Sequence, residues 1–351
     1  MKRPTGKPAK GRQRRARRAT SVDVARLAGV SQSAVSRCFT PGASISEKTR
    51  SKILAAAQRL DYAPNAIART LISGRSRIVG VVLPNITNLF YPEVLHELSL
   101  RLQAAGLRVL LFNVPYGQQI DDVMPDVLQY QVDGIITSAR CSAAVGADCR
   151  RRGVPIVFYN REFPELPGSS VKCNQVAGAA RLADLLIDAG HRRIGLIAGP
   201  DNSPTAHDRE RGFVQRLRAR GVDLCARAGG DFLYDIARAA ARSMLGQPRR
   251  PDALFCANDT MAFGAMDAAR HDVGLAVPDD VSIVGFDDSG PSRWRGYDLT
   301  TVRQPLEAMT AAAVELLVQS FGQPGMPAAR RLIDGELVVR SSARVAPPAS
   351  D

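Results

Sequence analysis

The chain has 351 residues, 45% of them hydrophobic and 23% charged, a composition typical of a globular protein with two or three domains. Its six cysteines contain no CxxC pair and its four histidines form no ligand-spaced cluster, so we expect reduced thiols, no metal and no other cofactor. The basic start leads into no signal-peptide core, and no apolar run approaches the roughly 18 residues of a membrane span. We therefore expect a cytoplasmic protein with no membrane partner.

The net charge of +13 is concentrated at one end of the chain. Residues 1–75 contain 17 Lys and Arg against three acids, a charge of +14, whereas the remainder has 30 basic and 31 acidic side chains, a charge of −1. Clustered Lys and Arg neutralise phosphates, so this end is predicted to bind nucleic acid. Residues 1–19 lack apolar periodicity and predict a disordered basic arm, which either contacts phosphates or acts as a solvated tail.

Two short helices are predicted directly after the arm. The first runs from Ser21 to about Ala28 and is capped by Thr20, and the second is capped by Ser31 and reaches about Phe39. Two short helices joined by a tight turn form a helix-turn-helix motif. Its outward side chains are predicted to be Gln32, Ser33, Ser36 and Arg37.

A third helix, capped by Ser46, is predicted to close the small core of this head. The side chains expected to fill that core are Ile53, Leu54, Ala57 and Leu60. We predict that the head spans residues 20–63. Residues 64–76 are a marginal helix followed by a polar linker, and we predict that they form a hinge.

From residue 77 onward, short β-branched runs alternate with helical stretches. The strand-like runs are 78–83, 107–112, 134–138, 155–159, 193–198, 253–257 and 281–286. This alternation predicts parallel sheets covered on both faces, and the length favours two α/β lobes with a cleft between them. Ligands bind such sheets at the carboxyl ends of their strands. We assign residues 77–345 to this core and residues 346–351 to a tail.

Several segments resemble the LacI–GalR family of bacterial transcription regulators. The head and hinge resemble it in TSVDVARLAGVSQSAVSRCFT and ISEKTRSKILAAAQRLDYAPNAIARTL. The core resembles the family's periplasmic-binding-protein-like core in IVGVVLPNITNLFYPEV, GHRRIGLIAGP, ALFCANDTMAFGAM, VPDDVSIVGFDD and LTTVRQP. The resemblance implies an all-α helix-turn-helix head on an α/β core of two lobes with parallel sheets.

The resemblance also implies a function. The expected protein is a sequence-specific regulator, most simply a repressor, that binds palindromic operator DNA as a homodimer or higher oligomer. A small effector bound between the lobes would modulate its affinity for the operator. Whether the effector induces or corepresses is left open.

In the head, the resemblance implies base reading by Gln32 and Ser33, with Arg37 one turn on, and these residue types suit direct readout. Alternatively, they form an exposed polar face that needs no ligand. Phosphate contacts are expected at Thr20, Ser21, Ser31, Ser36 and Thr40.

In the hinge, the wedge into the minor groove and its two flanking contacts are expected at Leu71, Asn65 and Ala68. Leu71 could instead pack on the core.

The effector positions implied in the core are Phe90, Tyr91, Asn160, Arg209, Phe232, Asn258 and Asp287. An Arg opposite an Asp between aromatic walls suits a sugar or a related polar metabolite, although a plain Arg209–Asp287 salt bridge is the alternative. The chain departs from the family at three places. Asn160 replaces an acid found in some members, and Cys173 stands where many carry an aspartate. Ser203 and Pro204 omit a nearby arginine of purine-responsive relatives, which disfavours a purine.

Other function classes have weaker support. The sequence contains no Walker A loop, GxGxxG, GxSxG or HExxH motif, so we expect no enzymatic activity. A solute-binding receptor would share the core but not the cationic head, and it would need a signal peptide. The remaining alternative is the same scaffold controlled by a protein partner or by no effector.

Overall fold

The computed structural model describes residues 19–40, 43–63, 75–84, 88–114, 120–323 and 325–346. The chain divides into two compact units, residues 1–76 and residues 77–351. The first contains the predicted head and the second the predicted two-lobed core. Among the helices of the described residues, none is both long and apolar enough to cross a membrane.

The head contains three helices, α1 (Ser21–Ala28), α2 (Gln32–Cys38) and α3 (Glu47–Arg59). The Thr20 hydroxyl and the Asp23 carboxylate satisfy each other's backbone N–H groups at the start of α1, which is a reciprocal capping box. The buried side chains of the head are Val24, Ala25, Val35, Cys38, Ile53, Ala56 and Ala57. The predicted helix-turn-helix fold is therefore confirmed.

The expectation that Leu54 fills the core of the head is wrong, because its side chain is 46% exposed. Successive helical residues are rotated by about 100° around the axis, so a buried stripe runs through positions three and four apart. In α3 that stripe passes through Ile53, Ala56 and Ala57. Leu54 lies beside the stripe.

The first lobe is a parallel six-stranded sheet in the order β11-β5-β4-β3-β1-β2. Its strands are β1 (Ile78–Pro84), β2 (Arg108–Val114), β3 (Gly134–Thr137), β4 (Ile156–Tyr159), β5 (Ser169–Cys173) and β11 (Arg330–Ile333). Its helices are α4 (Phe90–Ala104), α5 (Ile120–Gln129), α6 (Ala143–Arg151) and α11 (Leu306–Ser320).

The second lobe is a parallel four-stranded sheet in the order β7-β6-β8-β9. Its strands are β6 (Ile194–Ala198), β7 (Leu224–Gly229), β8 (Ala253–Cys256) and β9 (Ser282–Val284). Its helices are α7 (Gln175–Asp188), α8 (Pro204–Ala219), α9 (Tyr234–Leu245) and α10 (Asp259–Asp267), which continues into a π-helical turn at Ala268–Val273. A short 3-10 helix follows at Gly290–Arg293.

The chain crosses between the lobes after β5, before α11 and after β11. An antiparallel pair, β10 (Thr301–Arg303) and β12 (Glu336–Val338), borders the second sheet. All seven strand-like runs predicted from sequence contain a strand, and the predicted two-lobed fold class is confirmed. The largest buried cluster draws side chains from both lobes, including Val79 and Phe286, so the lobes share a core at these crossings.

The second lobe contains a fully buried histidine. The His191 ring nitrogens lie 3.1 Å from Asp252 Oδ1 and 2.9 Å from Ser282 Oγ. Burial lowers the pKa of His191 below its usual 6.5, the Arg344 guanidinium lowers it further, and Asp252 opposes both. The imidazole is therefore expected to be neutral in the folded protein.

Acid is expected to destabilise the fold through His191. Because the folded-state pKa is depressed, the unfolded chain binds a proton first, so this stability is complete above about pH 6.5 and is lost as the pH falls. The melting temperature of the wild type should fall more steeply between pH 7.5 and 5.5 than that of His191→Asn, which cannot titrate. Parallel curves for the two proteins would contradict this assignment.

Candidate functional site

The first candidate surface is the helix-turn-helix face of the head. Five of its predicted DNA-contacting residues are exposed, namely Ser31, Gln32, Ser33, Arg37 and Thr40. Three are partly exposed, namely Thr20, Ser21 and Ser36. All eight are accessible to a ligand in part or in full. The three hinge positions Asn65, Ala68 and Leu71 lie outside the described residues.

Hydrogen bonds between side chains restrain polar residues of this face. Gln32 Nε2 donates to Ser21 Oγ over 3.0 Å, which joins the first turn of α2 to the start of α1. The hydroxyls of Ser31 and Ser33 are 2.8 Å apart. These bonds limit the rotamers of side chains that would otherwise be free on a surface, so less entropy is lost when they bind a partner. The Gln32 carboxamide can still exchange its serine partner for the edge of an adenine.

The second candidate site is a cavity of about 600 Å³ in the core. All seven predicted effector residues line it. They come from both lobes and reach the cavity from the carboxyl ends of the strands. Asn160 follows β4, Asn258 follows β8 and Asp287 follows β9, which is the edge where parallel sheets bind ligands.

A buried ion pair forms part of the wall of this cavity. Arg209, on α8, is only 2% exposed, and its Nη2 donates to Asp287 Oδ1 over 2.8 Å. Its Nε donates to Gln175 Oε1 over 2.8 Å, and its Nη1 donates to the carbonyl oxygen of Ala257 over 2.6 Å. The guanidinium also lies 3.9 Å from the ring centroid of Phe286. The salt bridge considered from sequence is thus present, and it borders open cavity space.

Two buried amides of the cavity wall have unused polar atoms. Asn258 Oδ1 accepts from the Met261 amide at the start of α10, which leaves Asn258 Nδ2 without a partner among the described residues. Gln304 Nε2 donates to Asp287 Oδ1 over 2.7 Å, and within the part of the chain that the structure describes Gln304 Oε1 has no partner. Buried polar groups are normally satisfied, so these two point to a polar ligand.

Two buried carboxyl groups near the cavity have raised pKa values. Burial raises the pKa of Asp259 to about 7, Asp287 adds to the rise, and the hydroxyls of Thr301 and Ser292 oppose it. Burial also raises the pKa of Asp287, while Arg209 and Gln304 work against that rise. Displaced pKa values concentrate at functional sites.

Backbone strain is concentrated at the same place. Four residues that line the cavity have positive φ, namely Asn160 (55°), Asp231 (53°), Phe232 (58°) and Asp287 (132°). Such conformations are unfavourable for residues other than glycine, and they persist when the surrounding structure imposes them. Here they aim side chains from loop positions into the cavity.

Gly199, just after β6, makes room for one aromatic wall. A Cβ at this position would lie 2.6 Å from the ring of Phe232 and 2.8 Å from the Ala206 Cβ. Gly199→Ala is therefore expected to displace the ring and weaken binding of a cavity ligand by about 1–3 kcal/mol, roughly 5- to 150-fold. Calorimetry of both proteins with a ligand that binds the wild type would measure the loss of affinity.

Gly229→Ala is the matched control, because a Cβ there meets no atom within 4 Å. It should bind that ligand as the wild type does. If the Gly199→Ala and Gly229→Ala variants bind the ligand with equal affinity, the position of the Phe232 ring does not affect ligand binding.

Sequence reasoning did not identify the rest of the cavity wall. The additional lining residues are Pro84, Asn88, Val114, Ile120, Ala139, Arg140, Arg161, Pro200, Asn202, Ser203, Thr205, Asp231 and Gln304. Several lie just beyond the carboxyl end of a strand, as Arg161 lies two positions after β4 and Gln304 one position after β10. The rule that ligands bind at strand carboxyl ends could have found these. In the described part of the chain, no three His, Cys, Asp or Glu side chains are grouped to hold a metal ion.

Comparison with known proteins relates both sites to one family. A family model for bacterial regulatory proteins of the lacI family matches residues 21–65, and a model for a periplasmic binding protein-like domain matches residues 183–343. The HTH-type transcriptional repressor CytR of Escherichia coli (strain K12) is 33% identical over 94% of this chain and 97% of its own length.

Two solved structures extend this likeness. The lac repressor dimer bound to operator and the anti-inducer ONPF is 27% identical, covers 93% of this chain and 99% of its own, and has a TM-score of 0.83. The complex of the transcriptional regulator CelR with cellobiose is 29% identical, covers 93% of this chain and 100% of its own, and has a TM-score of 0.69. The chain therefore belongs to the lacI family of bacterial regulatory proteins and is a DNA-binding transcription regulator with a ligand-binding core.

Proposed function

We propose that this regulator is a homodimeric repressor that binds a palindromic operator and responds to a polar, sugar-like metabolite in the core cavity. The observation that carries this proposal is the convergence of Arg209, Asp287, two unsatisfied amides and aromatic side chains on one cavity of about 600 Å³. Its volume and mixed lining suit a small polar metabolite. The CelR complex, whose ligand is cellobiose, supports a carbohydrate.

The proposed DNA contacts are those of the helix-turn-helix face together with the hinge. One head offers too few base contacts for specific binding, and pairing two heads matches a palindromic site. The lac repressor, solved as a dimer on operator, supports this arrangement. The proposed domains are the arm (1–19), the head (20–63), the hinge (64–76), the core (77–345) and the tail (346–351).

The proposed coupling runs through the hinge. Effector binding changes the angle between the lobes and hence the spacing of the two hinges, and so the stability of a Leu71 wedge flanked by Asn65 and Ala68. The repressor acts on DNA in the cytoplasm, without a catalytic step.

Selection of bound genomic fragments, followed by thermal shift, tests the proposal. The selected operator is expected to bind far more tightly than random duplex at physiological salt. A sugar or organic acid that binds the cavity should stabilise the protein by about 2.7 kcal/mol at 100 times its Kd, and should change operator affinity. Equal binding to random and selected duplexes would refute the operator proposal. Specific operator binding with no stabilising metabolite would favour control by a protein partner or by no effector.

A further inference from the structure

The cavity wall contains a second cation besides the Arg209–Asp287 ion pair. Three arginines line it, and two of them are paired, Arg209 with Asp287 over 2.8 Å and Arg140 with Glu165 over 2.9 Å. Arg161 is partly buried and lies two positions after the end of β4. Among the residues that the structure describes, no carboxylate or other acceptor pairs with its guanidinium.

The neighbouring Asn160 also presents a donor to the cavity. Arginine has only donors, so Arg209 Nε fixes Gln175 Oε1 as its acceptor at 2.8 Å. Gln175 Nε2 must then donate, and it does so to Asn160 Oδ1 over 2.9 Å. Asn160 Nδ2 is left without a partner within the described part of the chain, in a residue that lines the cavity. The polarity of the Asn160 amide thus follows from the charge of Arg209.

The second lobe presents a different set of groups. With respect to the described residues, Asn258 Nδ2 is a free donor and Gln304 Oε1 is a free acceptor. Asp231, which follows β7, lines the cavity with no ion-pair partner among the described residues. A donor, an acceptor and a carboxylate suit hydroxyl groups, which both donate and accept.

We propose that the ligand is an acidic sugar derivative whose carboxylate or phosphate group binds the Arg161 guanidinium and Asn160 Nδ2. Its hydroxyls bind Asn258, Gln304 and Asp231. The inference rests on the proposed function and names the ligand class of the same cavity. An uncharged sugar would leave the partly buried Arg161 without a counter-charge, whereas an anion forms charge-assisted hydrogen bonds with it.

Calorimetry on the full chain with matched pairs of probes tests the proposal. Glucose is compared with glucuronate and glucose 6-phosphate, galactose with galacturonate, and ribose with ribose 5-phosphate. We expect at least one acidic probe to bind about 10- to 100-fold more tightly than its neutral parent, the gain of a charge-assisted hydrogen bond. A uronate preference identifies a carboxylate, and a sugar-phosphate preference identifies a phosphate.

Substitutions assign the preference to Arg161. Arg161→Gln should abolish it, Arg161→Lys should retain part of it, and Asn160→Asp should reduce affinity for the acidic probe by placing a carboxylate in the anion's position. Arg151→Gln is the control, because Arg151 is 70% exposed, is paired with Asp148 and does not line the cavity, and it should change affinity little. Melting curves check that each variant folds.

The outcomes separate the two proposals. If neutral sugars bind as tightly as the acids, or if Arg161→Gln keeps the preference, the acidic ligand is overturned while the sugar-like effector stands. If neither the neutral nor the acidic probes bind, the sugar-like effector is overturned, and the acidic ligand with it.

Discussion

Asp287→Ala is expected to destabilise the core by about 3–5 kcal/mol, because it leaves the buried Arg209 charge unpaired. Arg209 has a nearly inaccessible side chain, and its remaining hydrogen bonds go to neutral groups. Urea unfolding followed by circular dichroism would measure the loss. Glu210→Ala, which breaks the exposed bidentate pair with Arg227, is the matched control and should cost about 0–1 kcal/mol.

The double variant Arg209→Met with Asp287→Ala refines this test. Removing both charges should recover much of the stability, because a buried ion pair repays little more than its own desolvation. If the double variant loses as much stability as Arg209→Met and Asp287→Ala lose in total, the two charges are not coupled, and this explanation is contradicted. Under conditions where each variant is folded, operator affinity should be nearly unchanged while the response to ligand is lost.

Gln32→Ala is expected to lose about 1–3 kcal/mol of discrimination at the base pair that we propose Gln32 reads. The side chain is exposed on the first turn of α2 and is held by Ser21 Oγ. Binding to a randomised operator library at fixed salt would show relaxed preference at that position, with the affinity for random DNA unchanged.

Gln58→Ala on α3 is the matched control, because it removes the same exposed amide from another helix of the head. It should preserve operator preference. If Gln32→Ala and Gln58→Ala select the same sites as the wild type, Gln32 is only part of a polar surface. Ser21→Ala is expected to lose less discrimination between base pairs than Gln32→Ala, because it frees the Gln32 side chain without removing it.

The strands show which sequence signals are reliable. Strands β1, β3, β4, β6 and β8 are almost entirely buried, and each appears as a continuous apolar run. Strands β7 and β11 were not predicted. They lie at sheet edges, where β7 alternates between partly buried and exposed residues and β11 is mostly exposed, so little hydrophobic signal remains. Strand β5 was not predicted either, because its sequence SSVKC is too polar to form an apolar run even though the strand is buried.

Local chemistry alone determined the three helices of the head and the charge division of the chain. Caps such as Thr20 and Ser31 act on residues three positions away, so a short stretch of sequence contains the whole interaction. Net charge depends only on composition. The seven effector positions were available only through family resemblance, because they are dispersed from Phe90 to Asp287.

Tertiary structure alone decided the chemistry of the cavity. Arg209 and Asp287 are 78 positions apart in the chain, and Arg209 and Gln175 are 34 apart, so only folding brings them into hydrogen-bonding contact. That contact sets which end of the Gln175 and Asn160 amides donates. Likewise, only the folded structure shows that Arg161 has no acceptor among the described residues. A side chain's polarity toward a ligand depends on the partners it already has, and those partners come from distant parts of the chain.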